Sequence, residues 1–311
     1  MMAYGSGVGL IGLGAMGGAI AAKMLSSLQL QVFDLDAARM APLTAAGAVG
    51  APTAAALAAG CEIVLTCLPR SEMVERLVLG PEGIAARMRP GSVLVDMTTG
   101  DPVISRRIAA ALEPSGVAFA DAPVAGGPHG ARDGKLAIFV GARPEIFERI
   151  LPVLSTASRR VFHTGGIGTG DVMKLVNNTI ASSIRAITFE AIVMAAKNGI
   201  DLRKCAEILP LSSARSYQTE VALPRLVEGR FEANFAVDLM IKDLRLATRL
   251  GAESRSPMVI GNLVCELYQA MSNQLGPAAD VDALMTIFER QAGVSVVPPV
   301  VLPTGTAGEP A

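Results

Sequence analysis

Residues 8–17, Val8-Gly9-Leu10-Ile11-Gly12-Leu13-Gly14-Ala15-Met16-Gly17, join an apolar, strand-like run to glycines spaced G-x-G-x-x-G, and this junction constrains the fold more than any other segment. Each glycine has a separate task. Gly12 permits a tight turn, Gly14 lets the backbone approach a bound group closely, and Gly17 lets the following helix lie close to its strand. A helix that starts here turns unpaired N–H groups and the positive end of its dipole toward the turn, an arrangement suited to a pyrophosphate. The chain contains 32 glycines, so the spacing acquires meaning only from what surrounds it.

The surroundings form a βαβ unit. An Ala- and Met-rich helix is expected over 15–26, and a second apolar run, 30–33, ends in Asp34, 22 residues after Gly12. That separation is the one at which an acid bonds the adenosine ribose hydroxyls of a dinucleotide. A carboxylate there repels a 2′-phosphate, and no basic residue follows before Arg39. NAD is therefore expected in preference to NADP, with cofactor contacts from Gly12, Leu13, Gly14, Ala15, Met16, Gly17 and Asp34.

The chain of 311 residues is 51% hydrophobic and 18% charged, enough for a large core and two domains. Its net charge of -1 is dispersed, Trp is absent and aromatics make up only 4%, so neither a basic stripe nor a base-stacking surface is expected. Nucleic acid is not an expected partner. The apolar N-terminus lacks a basic leader region, and Arg185, Glu190 and Lys197 interrupt the most hydrophobic stretch, so neither a signal peptide nor a membrane span is expected. The expectation is a cytoplasmic protein. Cys61, Cys67, Cys205 and Cys265 show no CxxC spacing and His129 and His163 are the only histidines, so no metal site is expected.

Strand-like runs at 61–67, 92–96, 117–121 and 136–140 alternate with helical stretches, which predicts an α/β Rossmann-type domain with a mostly parallel sheet over 1–167. An all-α domain is expected over 168–293. It opens after the cluster Gly165-Gly166-Ile167-Gly168-Thr169-Gly170 with a long interdomain helix over 171–198, and further helices follow at 201–209, 235–250, 257–272 and 280–291. Residues 294–311 read as a loosely held tail, of which 294–301 could dock on a partner subunit.

Three polar groupings are candidates for chemistry. Lys174 and Asn178 share a helical face at i, i+4, and a desolvated lysine there can exchange a proton while the amide orients a hydroxyl. The ordinary alternative is a solvated lysine on an amphipathic helix. The loop Asp121-Ala122-Pro123-Val124-Ala125-Gly126-Gly127-Pro128-His129-Gly130 could present backbone N–H groups to a carboxylate. Lys242-Asp243-Leu244 falls inside a later helix, where the ordinary alternative is a solvated face.

Taken together and in order, these segments resemble the β-hydroxyacid dehydrogenases, a family that includes 3-hydroxyisobutyrate dehydrogenase and tartronate semialdehyde reductase. The resemblance spans about residues 7–293 and rests on Gly12-Leu13-Gly14-Ala15-Met16-Gly17, Cys67-Leu68-Pro69, Asp96-Met97-Thr98-Thr99, the segment 121–127, Gly168-x-Gly170-x-x-x-Lys174-x-x-Asn177-Asn178 and Ile241-Lys242-Asp243-Leu244. It implies that Lys174 is the general acid/base, that Asn178 and the loop Ala125-Gly126-Gly127 hold substrate, and that Leu68, Pro69, Thr99 and Lys242 touch the cofactor. It also implies a small hydroxy acid or its semialdehyde as substrate, and a homodimer or homotetramer. Ala125 stands where the family usually carries a serine, which removes a hydroxyl donor and leaves the substrate head group open. Imine reductases share the glycine turn and the long helix, but by the same resemblance commonly differ at the Lys174 position. A 6-phosphogluconate dehydrogenase would be longer and carry a phosphate-binding cluster. A non-catalytic dinucleotide-binding sensor is the alternative from outside enzymology.

Overall fold

The computed structural model describes residues 7–298, which divide into two compact units between Asn177 and Asn178. The first is α/β: β1 (Val8–Ile11), α1 (Ala15–Leu25), β2 (Leu30–Phe33), α2 (Ala37–Ala45), β3 (Val49–Gly50), α3 (Ala54–Gly60), β4 (Ile63–Thr66), α4 (Ser71–Leu79), β5 (Val93–Asp96), α5 (Pro102–Leu112), β6 (Ala118–Asp121), β7 (Val124–Ala125), α6 (Gly127–Arg132), β8 (Ala137–Gly141), α7 (Pro144–Ala157) and β9 (Arg160–Gly165). The strands form one sheet in the order β3-β2-β1-β4-β5-β6-β8-β7, with β9 paired to β8. Pairing is parallel from β3 through β6 and antiparallel where β8 meets β6 and β7.

Apolar runs in the central strands bury side chains on both faces. Leu10, Leu65 and Val95 point to one core, filled by Ile20 and Met24 of α1 and Ile150 and Leu154 of α7. Ile11, Val64 and Leu94 point to the other, filled by Leu57 of α3, Val74 and Val78 of α4, and Ile104 and Ile108 of α5. Strands covered on both faces have no reason to alternate polar and apolar residues, which is why these runs read as continuously hydrophobic. Side-chain caps start several of the helices: Asp36, Thr53 and Asp101 accept from the backbone N–H of Ala38, Ala56 and Val103.

The order of strands reverses at β1, whose parallel neighbours are β2 and β4. An open sheet of this kind forms a crevice outside the carboxyl ends of its strands at that reversal. The register lines up Ile11 with Phe33 and with Thr66, Thr66 with Asp96, and Asp96 with Asp121. The turns after β1 and β4 flank this point.

The long helix α8 (Thr169–Lys197) runs 29 residues, about 44 Å. By length and composition it could cross a membrane, contrary to the expectation drawn from its charges, because an 18-residue window can hold no more than two of them. Its Phe189, Ile192 and Val193 are nevertheless buried in the core of the second unit. That unit is helical: α9 (Leu202–Ile208), α10 (Leu223–Val227), α11 (Val237–Glu253), α12 (Val259–Leu275) and α13 (Leu284–Ala292) complete it. Arg185 of α8 is buried against Asp282 at 3.0 Å, an ion pair that ties α8 to the segment before α13.

Two local readings differ from expectation. A π-helical turn, Gln218–Ala222, leads directly into α10 within a stretch where the apolar periodicity predicts no helix. The start of the supposed tail is anchored: the backbone N–H groups of Val296 and Val297 donate to Glu289 Oε1, and Val297 is buried in the helical core. Glu289 is one turn from the end of α13, so its carboxylate reaches the chain that follows. The rest of the tail, 299–311, lies outside the described residues.

Candidate active site

The glycine turn has the form its residue types require. Gly12 has φ +94°, and a Cβ there would meet the carbonyl oxygen of Cys67 at 2.5 Å. A Cβ on Gly17 would fall 1.9 Å from the Gly12 carbonyl oxygen, so α1 can pack against its strand only with glycine at that position. Around Gly14, by contrast, the nearest atom beyond its own turn of chain that a Cβ would find among the described residues is Arg39 Nη1, at 3.8 Å. The backbone at Gly14 is therefore accessible to a phosphate group while Gly12 and Gly17 are closed, which fits a pyrophosphate lying across the start of α1. Leu13 is buried, Met16 half-buried and Ala15 exposed.

Asp34 ends β2 beside this turn. Its Oδ2 accepts from Leu13 N at 2.6 Å and its Oδ1 from Asp36 N at 2.9 Å, which orients the carboxylate along the rim where a ribose would lie. On the other side of β1, Leu68 N donates to Thr98 Oγ1 at 3.0 Å, so the Leu68-Pro69 turn is tied to the segment carrying Thr99. Thr99 is half-buried and Pro69 exposed.

Three buried carboxylates line the inner part of this edge. Asp96 Oδ1 accepts from Thr66 Oγ1 (2.8 Å) and Thr98 N (3.0 Å). Asp121 accepts from Gly168 N (2.6 Å) and Asp171 N (2.9 Å), and so caps the first turn of α8. Asp171 in turn accepts from Ser105 Oγ (2.6 Å) and Gly100 N (3.2 Å). Burial pushes all three carboxyls upward: Asp96 reaches about 6 against the opposing hydrogen bonds of Thr98 and Thr66, and Asp171 rises well above the carboxylate range through burial and then the charge of Asp121.

A carboxyl whose pKa is higher in the folded than the unfolded chain stabilises the fold most below the unfolded value, and this contribution disappears as pH rises through the folded value. For Asp96 the window runs from 3.8 to about 6. The wild type is thus expected to gain on the order of 3 kcal/mol relative to Asp96→Asn as the buffer moves from pH 7 to pH 4, read from thermal unfolding of both proteins by circular dichroism. Parallel pH curves for the two proteins would refute this.

Lys174 lies in the second turn of α8, after the segment anchored by Asp121. It is only 7% exposed, which overturns the ordinary expectation of a solvated lysine. Asn178 follows one turn later on the same face and is also buried; its Nδ2 donates to Asp243 Oδ2 at 2.6 Å. Lys242 Nζ lies 3.1 Å from Asp243 Oδ1 as an ion pair, without hydrogen-bond alignment. Asp243 is 1% exposed, so this part of α11 is no solvated face. Sequence reasoning treated Asp243 only as a neighbouring charge; the available signal was an acid set between the apolar Ile241 and Leu244. The loop residues sit where β7 ends: Ala125 pairs with Ala137 of β8, and Gly126 and Gly127 both have positive φ, +128° and +66°, as the chain enters α6. Among the described residues no group of three His, Cys, Asp or Glu side chains is placed to hold a metal ion.

Residues 7–165 match the model for the NAD binding domain of 6-phosphogluconate dehydrogenase, and residues 168–288 match the model for the NAD-binding region of NADP-dependent 3-hydroxyisobutyrate dehydrogenase. The chain is 35% identical over 291 residues to 2-(hydroxymethyl)glutarate dehydrogenase of Eubacterium barkeri, covering 93% of this chain and 97% of that protein. The chain belongs to the β-hydroxyacid dehydrogenase family. Another relative in this family, the NAD-dependent L-serine dehydrogenase of Pseudomonas aeruginosa, is 33% identical over 294 residues, 92% of this chain and 99% of that protein. Among solved structures, 3-hydroxyisobutyrate dehydrogenase of Mycobacterium tuberculosis with L-serine superposes with a TM-score of 0.82 at 25% identity, covering 92% of this chain and 99% of the other. Psf3 in complex with NADP+ and 2-OPP gives 0.84 at 29%, over 90% and 99%. The imine reductase of a Pseudomonas species, at 16% identity and a TM-score of 0.61, shares the fold.

Proposed function

We propose that this β-hydroxyacid dehydrogenase interconverts a small 3-hydroxy acid and its semialdehyde with NAD, using Lys174 as general acid/base. The observation that carries the reading is a lysine withdrawn from water one helical turn before a buried asparagine whose amide is held by Asp243. Gly12, Leu13, Gly14, Ala15, Met16 and Gly17 would hold the pyrophosphate and Asp34 the ribose, with Leu68, Pro69, Thr99 and Lys242 as further cofactor contacts. When bound, the nicotinamide supplies the hydride chemistry. In oxidation, neutral Lys174 takes the hydroxyl proton at Nζ; in reduction its ammonium form returns that proton to the carbonyl oxygen. Asn178 orients the hydroxyl, and the backbone of Ala125, Gly126 and Gly127 receives the substrate carboxylate. With alanine at 125 the missing hydroxyl donor costs about 0.5–1.5 kcal/mol of carboxylate binding.

The reading places the enzyme in the cytoplasm as a homodimer or homotetramer, with a small-molecule substrate and no role for nucleic acid or membrane. Self-association is supported by an exposed apolar stripe on α8, Met173, Ile180, Ile187 and Met194, spaced seven residues apart. NAD is preferred because a carboxylate, Asp34, faces the ribose rim.

The test is a screen of 3-hydroxyisobutyrate, L-serine, 2-(hydroxymethyl)glutarate and tartronate semialdehyde with each cofactor, followed by reduced-nicotinamide absorbance. Turnover of at least one with NAD is expected. Intact NADH binding with no turnover across the panel would favour a non-catalytic sensor, and turnover of imines alone would favour an imine reductase.

A further inference from the structure

The face of α8 that carries Lys174 and Asn178 stays polar for longer than the proposed reaction requires. Asp171, Lys174, Asn178, Ser182 and Arg185 follow one another at helical spacing and are all buried, and only from Phe189 onward does this face become apolar. Polar groups buried on such a stripe need partners. Asp171 is anchored by Ser105 and Gly100, whereas Ser182 and Arg185 take no part in proton transfer or in holding substrate.

Their hydrogen bonds run toward Asn178. Arg185 Nε is held by Asp282 Oδ1 at 3.0 Å, and Arg185 Nη1 donates to Tyr268 Oη at 3.5 Å. Tyr268, fully buried on α12, is bonded in turn to Ser182, and burial pushes its phenol up, so the hydroxyl keeps a proton to donate. Ser182 Oγ donates to the backbone carbonyl of Asn178 at 2.7 Å, with Met240 Sδ on its other side at 2.8 Å. One proton cannot serve both, and the carbonyl is the stronger acceptor. A chain headed by a fixed cation polarises each hydroxyl toward the next acceptor. Met240 and Asp243 lie three residues apart on α11, so one face of that helix meets α8 both at Ser182 and at Asn178.

We infer that Ser182, supported by Tyr268 and Arg185, is a positioning residue for Asn178, fixing the turn of α8 from which the Asn178 amide meets the substrate hydroxyl. The inference rests on the reading that Asn178 orients that hydroxyl. A serine that bonds back to the carbonyl four residues earlier bends its helix locally. Without that bond the amide still reaches Asp243, but from a turn that is tilted differently. The loss therefore falls on the hydroxy acid and spares the dinucleotide.

The test is steady-state kinetics with 3-hydroxyisobutyrate, L-serine and 2-(hydroxymethyl)glutarate on the wild type, Ser182→Ala, Tyr268→Phe, Asn178→Ala and the double variant Ser182→Ala/Asn178→Ala. Thermal midpoints and NADH titrations are taken on the same preparations, and KM does not depend on how much of the enzyme is folded. Ser182→Ala is expected to raise the KM for the hydroxy acid about fivefold and Tyr268→Phe about threefold, with the NADH dissociation constant changed by less than about 1.5-fold. In the Asn178→Ala background, Ser182→Ala should add less than about 1.5-fold, because no amide remains to be misdirected. A purely structural role would lower the midpoint and leave KM alone, or raise KM equally with and without Asn178, and either result would overturn the inference. A wild-type KM in Asn178→Ala would remove Asn178 from substrate binding and the inference with it. Turnover of none of the three acids, with NADH binding intact, would overturn the dehydrogenase reading and the inference together.

Discussion

Lys174→Ala is expected to lower kcat by about 10³-fold while shifting the dissociation constant of NADH by less than about threefold. The asymmetry follows from position. The contacts assigned to the dinucleotide come largely from the turns after β1, β2 and β4, whereas Lys174 projects from α8 and is assigned only the proton. Lys174→Arg should be as inactive as the alanine variant, because a guanidinium keeps its proton and so cannot act as the base. Stopped-flow measurement with saturating substrate separates the chemical step from cofactor release. Substantial turnover in Lys174→Ala would remove the residue from the acid/base role and reopen the site.

Gly17→Ala carries the second large effect, on cofactor affinity and on the fold together. The added methyl would lie 1.9 Å from the Gly12 carbonyl oxygen and 3.3 Å from Cys67 Cβ, so α1 must shift away from its strand. Gly12 cannot yield easily, since its φ of +94° already excludes most residues and a Cys67 carbonyl closes its other side. Overpacking of this kind costs about 3 kcal/mol, or a fall in thermal midpoint of roughly 10 °C, with NADH affinity down about 100-fold as the helix N-terminus moves. Gly14→Ala supplies the contrast. Among the described residues beyond its own turn of chain, its methyl would come nearest to Arg39 Nη1, at 3.8 Å, so the midpoint should stay within about 2 °C while NADH affinity falls. Equal thermal losses in the two variants would contradict the division of labour among the glycines.

Local chemistry was the part legible from sequence. The turn at Gly12–Gly17, the strand 30–33 and the acid that ends it depend on neighbours within one βαβ unit, and β2 falls on the expected residues. Lys174 and Asn178 were legible by helical spacing, but their burial was not, and for Asn178 it comes with a partner far along the chain. Asp243 shows the limit most clearly: a Lys-Asp pair in a helix normally marks a solvated face, and only the fold brings its carboxylate to Asn178, 65 residues earlier. The π-turn at Gln218–Ala222 was equally hidden, since its hydrogen-bond spacing leaves no apolar period of its own. The anchoring of Val296 and Val297 depends on one carboxylate, Glu289, turned back along the chain.

The clamp on the first turn of α8 also bears on the order of events during folding. The backbone N–H groups of Gly168 and Asp171 are secured by Asp121, from 47 and 50 residues upstream, and Asp121 lies opposite Gly141 where β6 pairs with β8. A helix of 29 residues can gain most of its turns quickly and locally, yet the end that presents Lys174 waits for contacts of long sequence separation. On refolding from denaturant, recovered ellipticity should therefore precede recovered turnover, and Asp121→Asn should lengthen that interval. A refolded chain can hold nearly all of its helix before it holds Lys174 in place.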